Sequence, residues 1–194
     1  MKICFATNNA NKLREIREIL PSQFEIVGLK DIGCLEDIPE TSTTIEGNSI
    51  LKANYVFENY GIACFADDSG LEIDALNGAP GVLSARYAGP QRSNKDNIDL
   101  VLSNLSSSNN RDARFKTVIT YKSSDSEIQF EGIIDGEITD DIFGEGGFGY
   151  DPIFRPKGYN KTFAEMGAAQ KNKISHRGIA VRKLHRFLLE LRSE

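Results

Sequence analysis

Between Arg114 and Ile138 the sequence spells out a two-stranded ribbon, and any fold for this chain has to accommodate it. Phe115, Thr117, Ile119 and Tyr121 alternate with Arg114, Lys116, Val118 and Thr120, which is the period of two of a half-buried strand. Glu127 to Ile138 reads as a second strand, and Ser123-Ser124-Asp125 joins the two as an antiparallel hairpin. Further strands are expected at Lys2–Ala6, Phe24–Gly28, Ile62–Ala66 and Leu71–Asp74. Helical spacing of apolar residues marks a loop from Asn8 feeding a helix to Leu20 (Leu13, Ile16, Leu20) and helices over Asn48–Tyr60 and Ser93–Leu105. It also marks a last helix after Ser175, with the stripe Ala180, Leu184, Phe187, Leu188 and Leu191. Asp31 to Gly47 is polar and irregular, and Asn77 to Gly81 is a turn cluster. Thr162-Phe163-Ala164-Glu165 has capping-box spacing and predicts a short helix. Helices interleaved with strands and a hairpin give an α/β class with a mixed sheet. With no repeat and no linker to divide it, residues 1–194 read as one domain.

Composition narrows the function. The net charge of −5 argues against a general nucleic-acid binder, which needs a basic face to replace counterions. A small phosphorylated substrate remains compatible, because a local pocket can be basic on an acidic protein. No apolar run approaches the roughly 20 residues of a membrane span. The start, Met1 to Ala6, turns polar at Thr7-Asn8-Asn9, too soon for a signal peptide. Cys4, Cys34 and Cys64 form no Cys-x-x-Cys pair, so neither a zinc site nor a disulfide framework is indicated. A cytoplasmic protein is expected.

Four polar segments carry chemistry. In Ala66-Asp67-Asp68-Ser69-Gly70 two adjacent acids follow an apolar run, as at a strand end, and suit a hard divalent cation and an activated water. Asp68 is the nearer to the turn, Asp67 is expected on the opposite face, and Glu40 is a further acid upstream. Thr7-Asn8-Asn9-Ala10-Asn11-Lys12 follows a strand and opens a helix, where backbone N–H groups attract phosphate and Lys12 adds charge. It is not a Walker A loop. In Gly146-Gly147-Phe148-Gly149-Tyr150-Asp151-Pro152 the glycines permit close backbone approach. Phe148 and Tyr150 offer aromatic faces to a base, and Asp151 offers an acceptor to its edge. Lys171 with Ser175-His176-Arg177 brings two cations and an imidazole toward a helix start. Each segment also has an ordinary reading as cap, turn or solvated charge; their joint occurrence is the stronger signal.

Taken in order, these segments resemble the inosine triphosphate pyrophosphatase family over essentially the whole chain. The resemblance rests on Ala6 to Lys12, Ala66 to Leu71, Gly78-Ala79-Pro80-Gly81 with Ser84-Ala85-Arg86-Tyr87, Gly146 to Pro152, and Ser175-His176-Arg177. It implies two lobes around a long mixed, twisted sheet flanked by helices, with the active site in a cleft between them, and usually a homodimer. It implies Mg2+ held by Glu40 and Asp68, with Asp68 also the proton acceptor. Substrate contacts are implied for Thr7, Asn8, Asn9, Ala10, Asn11, Lys12, Ser69, Phe148, Gly149, Tyr150, Asp151, Lys171, His176 and Arg177. The implied reaction converts deaminated purine nucleoside triphosphates (ITP, dITP, XTP) to monophosphate and pyrophosphate, keeping them out of DNA and RNA. Two departures stand out: Asn8 occupies a position where many relatives carry glycine, and Ile45 to Ser49 is a looser copy of the usual helix start. The residues alone leave two rivals open, a pyrophosphatase for thymidine or uridine triphosphates and a nucleotide-binding regulator without catalysis.

Overall fold

The computed structural model describes residues 2–191. Six strands form one mixed sheet in the order β2-β1-β3-β4-β5-β6. They are β1 (Lys2–Phe5), β2 (Glu25–Gly28), β3 (Cys64–Ile73), β4 (Asp112–Lys122), β5 (Glu127–Ile138) and β6 (Phe154–Pro156). β1 runs parallel to both β2 and β3, with Cys4 opposite Cys64, while β6 pairs antiparallel with β5. The helices are α1 (Ala10–Ile19), α2 (Ile45–Tyr60), α3 (Asn94–Asn104), α4 (Ala168–Ile174) and α5 (His176–Leu191). None of the described helices is long and apolar enough to cross a membrane.

The chain forms two compact units. One comprises the segment up to Asp68, Thr117–Gly132 and the chain from Arg177 onward; the other comprises Ser69–Lys116 and Ile133–His176. Within the first unit, the period of two along β1 and β3 sorts residues by size. Phe5 and Phe65, stacked at 4.7 Å, share a core with Ile16 of α1, Leu20 just after it, and Ala180, Leu184 and Leu188 of α5. The alternate positions Cys4, Cys64 and Ala66 are small and share a second core with Ala53 and Val56 of α2. Their size lets α2 approach closely, and the Cys64 thiol donates to the Ala53 carbonyl at 3.2 Å. In the second unit Phe115, Phe154 and Phe163 form the centre of a core with Leu71, Ile73, Val101 and Leu105.

Several expectations change. The two strands expected around the acidic pair are one uninterrupted strand, β3, so Asp67 and Asp68 sit in mid-strand and not at a turn. β4 is half-buried only in its first part: Val118 and Thr120 on its second face are buried too, and Thr120 meets the Ser49 hydroxyl of α2. α2 starts three residues early because Thr44 caps it, its hydroxyl accepting the Gly47 N–H at 3.0 Å. Thr162 to Glu165 closes only a 3-10 turn. A separate helix, α4, which the sequence reading did not anticipate, follows Gly167, and Ser175 terminates it by donating its N–H to the Lys171 carbonyl at 2.8 Å.

Candidate active site

Because β3 alternates, its two acids acquire different partners. Asp67 follows Phe65 onto the face covered by α1 and α5. It is fully buried, accepts from Lys12 Nζ at 3.0 Å, and accepts from Arg177 Nε at 3.3 Å. Arg177, at the start of α5, also reaches Glu15 of α1 at 2.5 Å. Lys12 and Glu15 stand one turn apart on α1, so a single helix supplies both ends of the chain of charges Lys12–Asp67–Arg177–Glu15. Burial alone would raise the Asp67 carboxyl, but Lys12 and Arg177, with Lys52 behind them, hold it well below the usual carboxylate range.

Asp68 follows Ala66 onto the α2 face. Its Oδ2 accepts from Asn48 Nδ2 at 3.3 Å, and its Oδ1 lies 3.5 Å from Lys52 Nζ. Lys52 also donates to Glu40 Oε1 at 2.6 Å. Burial pushes the Asp68 carboxyl up, and the Lys52 and Lys12 ammoniums offset this only in part. For Lys52, burial opposes the charge, but Asp68 and Glu40 outweigh it and hold the ammonium above its ordinary range. Two neighbouring aspartates of one strand therefore differ in character: one is an anion locked between Lys12 and Arg177, the other shares Lys52 with a solvent-reachable acid, Glu40. The segment carrying Glu40 is fastened at Glu36, whose carboxylate accepts from Tyr55 at 2.7 Å and Tyr60 at 3.1 Å.

The Thr7 to Lys12 loop is less open than expected. The Thr7 hydroxyl accepts the Asn9 N–H at 3.1 Å, and Asn9 Oδ1 caps α1 by accepting from Asn11 N–H at 3.0 Å and Lys12 N–H at 3.2 Å. Two of the helix-start amides expected to face phosphate are thus engaged by Asn9. Asn8 donates to Asp37 at 3.0 Å, tying this loop to the segment that leads to Glu40. Ala10 is exposed at the first position of α1, and Asn11 is half-buried.

The second unit holds the remaining expected residues. Asp151, buried, accepts from Lys171 Nζ at 2.6 Å and from the Phe148 N–H at 2.8 Å. The same ammonium lies 4.9 Å from the centroid of the half-buried Phe148 ring. Gly147 has φ of +71°, and a side chain there would collide with the Asp151 carboxylate, so the glycine is required twice over. Tyr150 packs in the core and donates its hydroxyl to the Ser84 carbonyl at 2.8 Å. That contact makes Tyr150 an anchor of the segment, so Phe148 is the more accessible of its two rings. Gly149 is half-buried, as is Ser69 immediately after Asp68 on β3. His176 is buried and stacks on Phe115 at 4.5 Å. Lys171 and His176, read as one cluster with Arg177 in the sequence, meet around Phe163, while Arg177 goes to Asp67 and Glu15.

Three residues at the site escaped the sequence reading. Lys52 lies among the apolar residues of α2, and its position four residues after Asn48 puts both on one helical face. Glu15 had the corresponding signal, three residues after Lys12. Asp67 is expected on the face opposite Asp68, with no role of its own. It does face away, and that direction is toward Lys12 and Arg177.

The profile of the Ham1 family matches residues 3–187. This chain belongs to the Ham1 family. It is 54% identical over 187 residues, covering 96% of its length and 98% of the relative's, to a dITP/XTP pyrophosphatase of Flavobacterium psychrophilum. Identity to the dITP/XTP pyrophosphatase of Staphylococcus aureus is 41%, over 96% of both chains. Among solved structures, the Ham1 protein of Staphylococcus aureus superposes with a TM-score of 0.90 at 40% identity, covering 98% of this chain and 99% of that one. A HAM1 protein from Coxiella burnetii gives the same TM-score at 37% identity. The family expected from the motifs and the mixed α/β fold expected from the strand and helix pattern are both borne out.

Proposed function

We propose that this Ham1-family chain is a nucleoside triphosphate pyrophosphatase acting on deaminated purine nucleotides such as dITP, ITP and XTP. The observation that carries the reading is the pair of acids on β3, each engaged by a lysine from a different helix. Lys12 is fixed by Asp67 at 3.0 Å, and Lys52 joins Asp68 to Glu40. The names of the relatives from Flavobacterium and Staphylococcus aureus, dITP/XTP pyrophosphatases, support the substrate class.

The charge balance bears on the metal. Around β3, Lys12, Lys52 and Arg177 stand against Glu15, Glu40, Asp67 and Asp68, so acids outnumber cations. A triphosphate would meet a net negative cluster unless a divalent cation accompanied it. Glu40 and Asp68 fit that role: both are hard oxygen donors, both contact the same ammonium, and one or two carboxylates are what Mg2+ takes beside substrate phosphates. When bound by Glu40 and Asp68, Mg2+ would neutralise phosphate charge and acidify a coordinated water.

The chain's own residues do the rest. Lys12, its ammonium held by Asp67, stabilises charge on the departing pyrophosphate. Asp68 orients the water that attacks the α-phosphorus and takes its proton as the α–β anhydride bond breaks, leaving monophosphate and pyrophosphate. In the second unit Phe148 supplies a stacking face for the base, worth roughly 1–3 kcal/mol. Asp151 and Lys171, locked to each other, hold that segment in place. Removal of such nucleotides from the pool keeps deaminated bases out of DNA and RNA, and the active form is a homodimer.

The test is purified protein with Mg2+ and a panel of triphosphates, with pyrophosphate and orthophosphate measured separately. Turnover of dITP, ITP or XTP to pyrophosphate, much faster than ATP, is expected. Equal efficiency on ATP removes the base preference, and orthophosphate as the only product removes α-phosphorus attack. Light scattering at working concentration checks the dimer.

A further inference from the structure

Lys52 occupies the place where the two candidate metal ligands meet. Its ammonium contacts Glu40 at 2.6 Å and Asp68 at 3.5 Å, and its side chain is only 9% exposed. Asn48, one turn earlier on α2, holds the other oxygen of Asp68 and accepts the Ser42 N–H at 2.9 Å. Helix and strand together therefore fix the lysine between the acids. Among the described residues no third acid, histidine or cysteine completes a metal-binding group here. An ammonium and a divalent cation cannot both sit against the same carboxylate oxygens, because their charges repel at contact distance. The surroundings make a second cation less welcome still, since Lys12 is held at Asp67 within electrostatic reach of Lys52.

We propose that Lys52 is the resident counter-ion of the Glu40–Asp68 pair, and that a divalent cation binds these carboxylates only by displacing it. Free protein then keeps two buried-edge carboxylates ordered and neutralised without metal, and its affinity for free Mg2+ is set by this exchange. The inference rests on the reading of Glu40 and Asp68 as metal ligands.

The experiment titrates Mg2+ alone, without nucleotide, into wild-type protein and Lys52→Met, by calorimetry and by the Mg2+ dependence of the unfolding temperature. One unit charge about 4 Å from a divalent cation changes affinity by about thirtyfold in water, and by more at a lower effective dielectric. Lys52→Met is therefore expected to bind Mg2+ at least about tenfold more tightly, and its unfolding temperature to climb with Mg2+ more steeply than that of wild type. Lys52→Gln serves as the second variant. In wild-type protein the Lys52 ammonium resonance should move in step with Mg2+ binding.

Unchanged or weaker Mg2+ affinity in both variants overturns the displacement, as does a Lys52 resonance unmoved at saturating Mg2+. Glu40→Gln placed in the Lys52→Met background separates the two levels. If the added change weakens Mg2+ binding although Lys52→Met had not strengthened it, the carboxylates hold metal and the inference about Lys52 alone fails. If Mg2+ binding ignores Glu40→Gln in that background, the ligand assignment fails and takes the inference with it.

Discussion

Asp67→Asn and Asp68→Asn are neighbouring, isosteric, single-charge changes that should have opposite signatures. Asn at position 67 keeps the shape but removes the anion to which Lys12 and Arg177 are bound at 3.0 and 3.3 Å in a fully buried setting. Removing one partner of a buried ion pair costs about 3–5 kcal/mol. Arg177 retains Glu15 at 2.5 Å, which places the cost near the lower end, about 3 kcal/mol. For a chain of this length that lowers the unfolding temperature by about 6–12 °C. The sign with pH follows from the depressed Asp67 carboxyl: its stabilisation is present above the ordinary carboxylate range and is lost as pH falls below it. The gap between wild type and Asp67→Asn should therefore be full at pH 7 and shrink below about pH 4. Asp68, by contrast, shares Lys52 with Glu40, so the Lys52 ammonium keeps an acid when the charge at position 68 is removed, and Asp68→Asn should change stability by less than about 1 kcal/mol. Turnover should nevertheless fall at least about a hundredfold, the lower range for losing acid–base help. Urea unfolding at pH 7 and pH 3.5, beside pyrophosphate release, reads all of this. Asp67→Asn within about 1 kcal/mol of wild type, or Asp68→Asn with near-normal turnover, would refute the division of labour between the two acids.

Other expectations follow from the same geometry. The acid limb of kcat/KM should lie above the ordinary carboxylate range at low Mg2+ and move to lower pH as Mg2+ is raised, because a nearby cation favours the Asp68 anion; a limb indifferent to Mg2+ counts against Asp68 as ligand. Asn9→Ala should cost about 1 kcal/mol by uncapping α1, measurable by thermal unfolding, while a null effect would show that the cap is dispensable. Gly147→Ala should lower thermal stability and also raise KM for dITP, since it forces a left-handed backbone on alanine and sets a methyl group against the Asp151 carboxylate; unchanged kinetics would remove this segment from the base. Tyr55→Phe combined with Tyr60→Phe should raise the Mg2+ concentration needed for half-maximal activity by loosening the Glu36 clamp upstream of Glu40.

Much of this was legible in local pattern. The hairpin of β4 and β5 is announced by the alternation from Arg114 to Tyr121 and the strand-like run that follows Ser123-Ser124-Asp125, and the apolar stripe of α5 enters the core where its spacing says it should. Periodicity works here because each element buries one face and the repeat is fixed by backbone geometry. It fails where a residue's partner comes from elsewhere in the chain. Asp-Asp-Ser-Gly reads locally as the end of a strand, yet β3 runs straight through it, because Lys12, Arg177, Asn48 and Lys52 satisfy the two acids from other elements. Ser-His-Arg reads as one polar cluster, but successive residues at a helix start point in different directions, sending His176 onto Phe115 and Arg177 onto Asp67.

The sequence by itself determined the class of elements, most of the strand and helix segments (β6 and α4 excepted) and, through five ordered motifs, the family. Tertiary structure alone decided which cation meets which acid, and hence that Asp67 is locked between Lys12 and Arg177 while Asp68 shares Lys52 with Glu40. The physical reason is range: a hydrophobic repeat is written within ten or so residues, whereas the charge of a buried acid is set by groups that lie from 16 to 110 positions away along the chain.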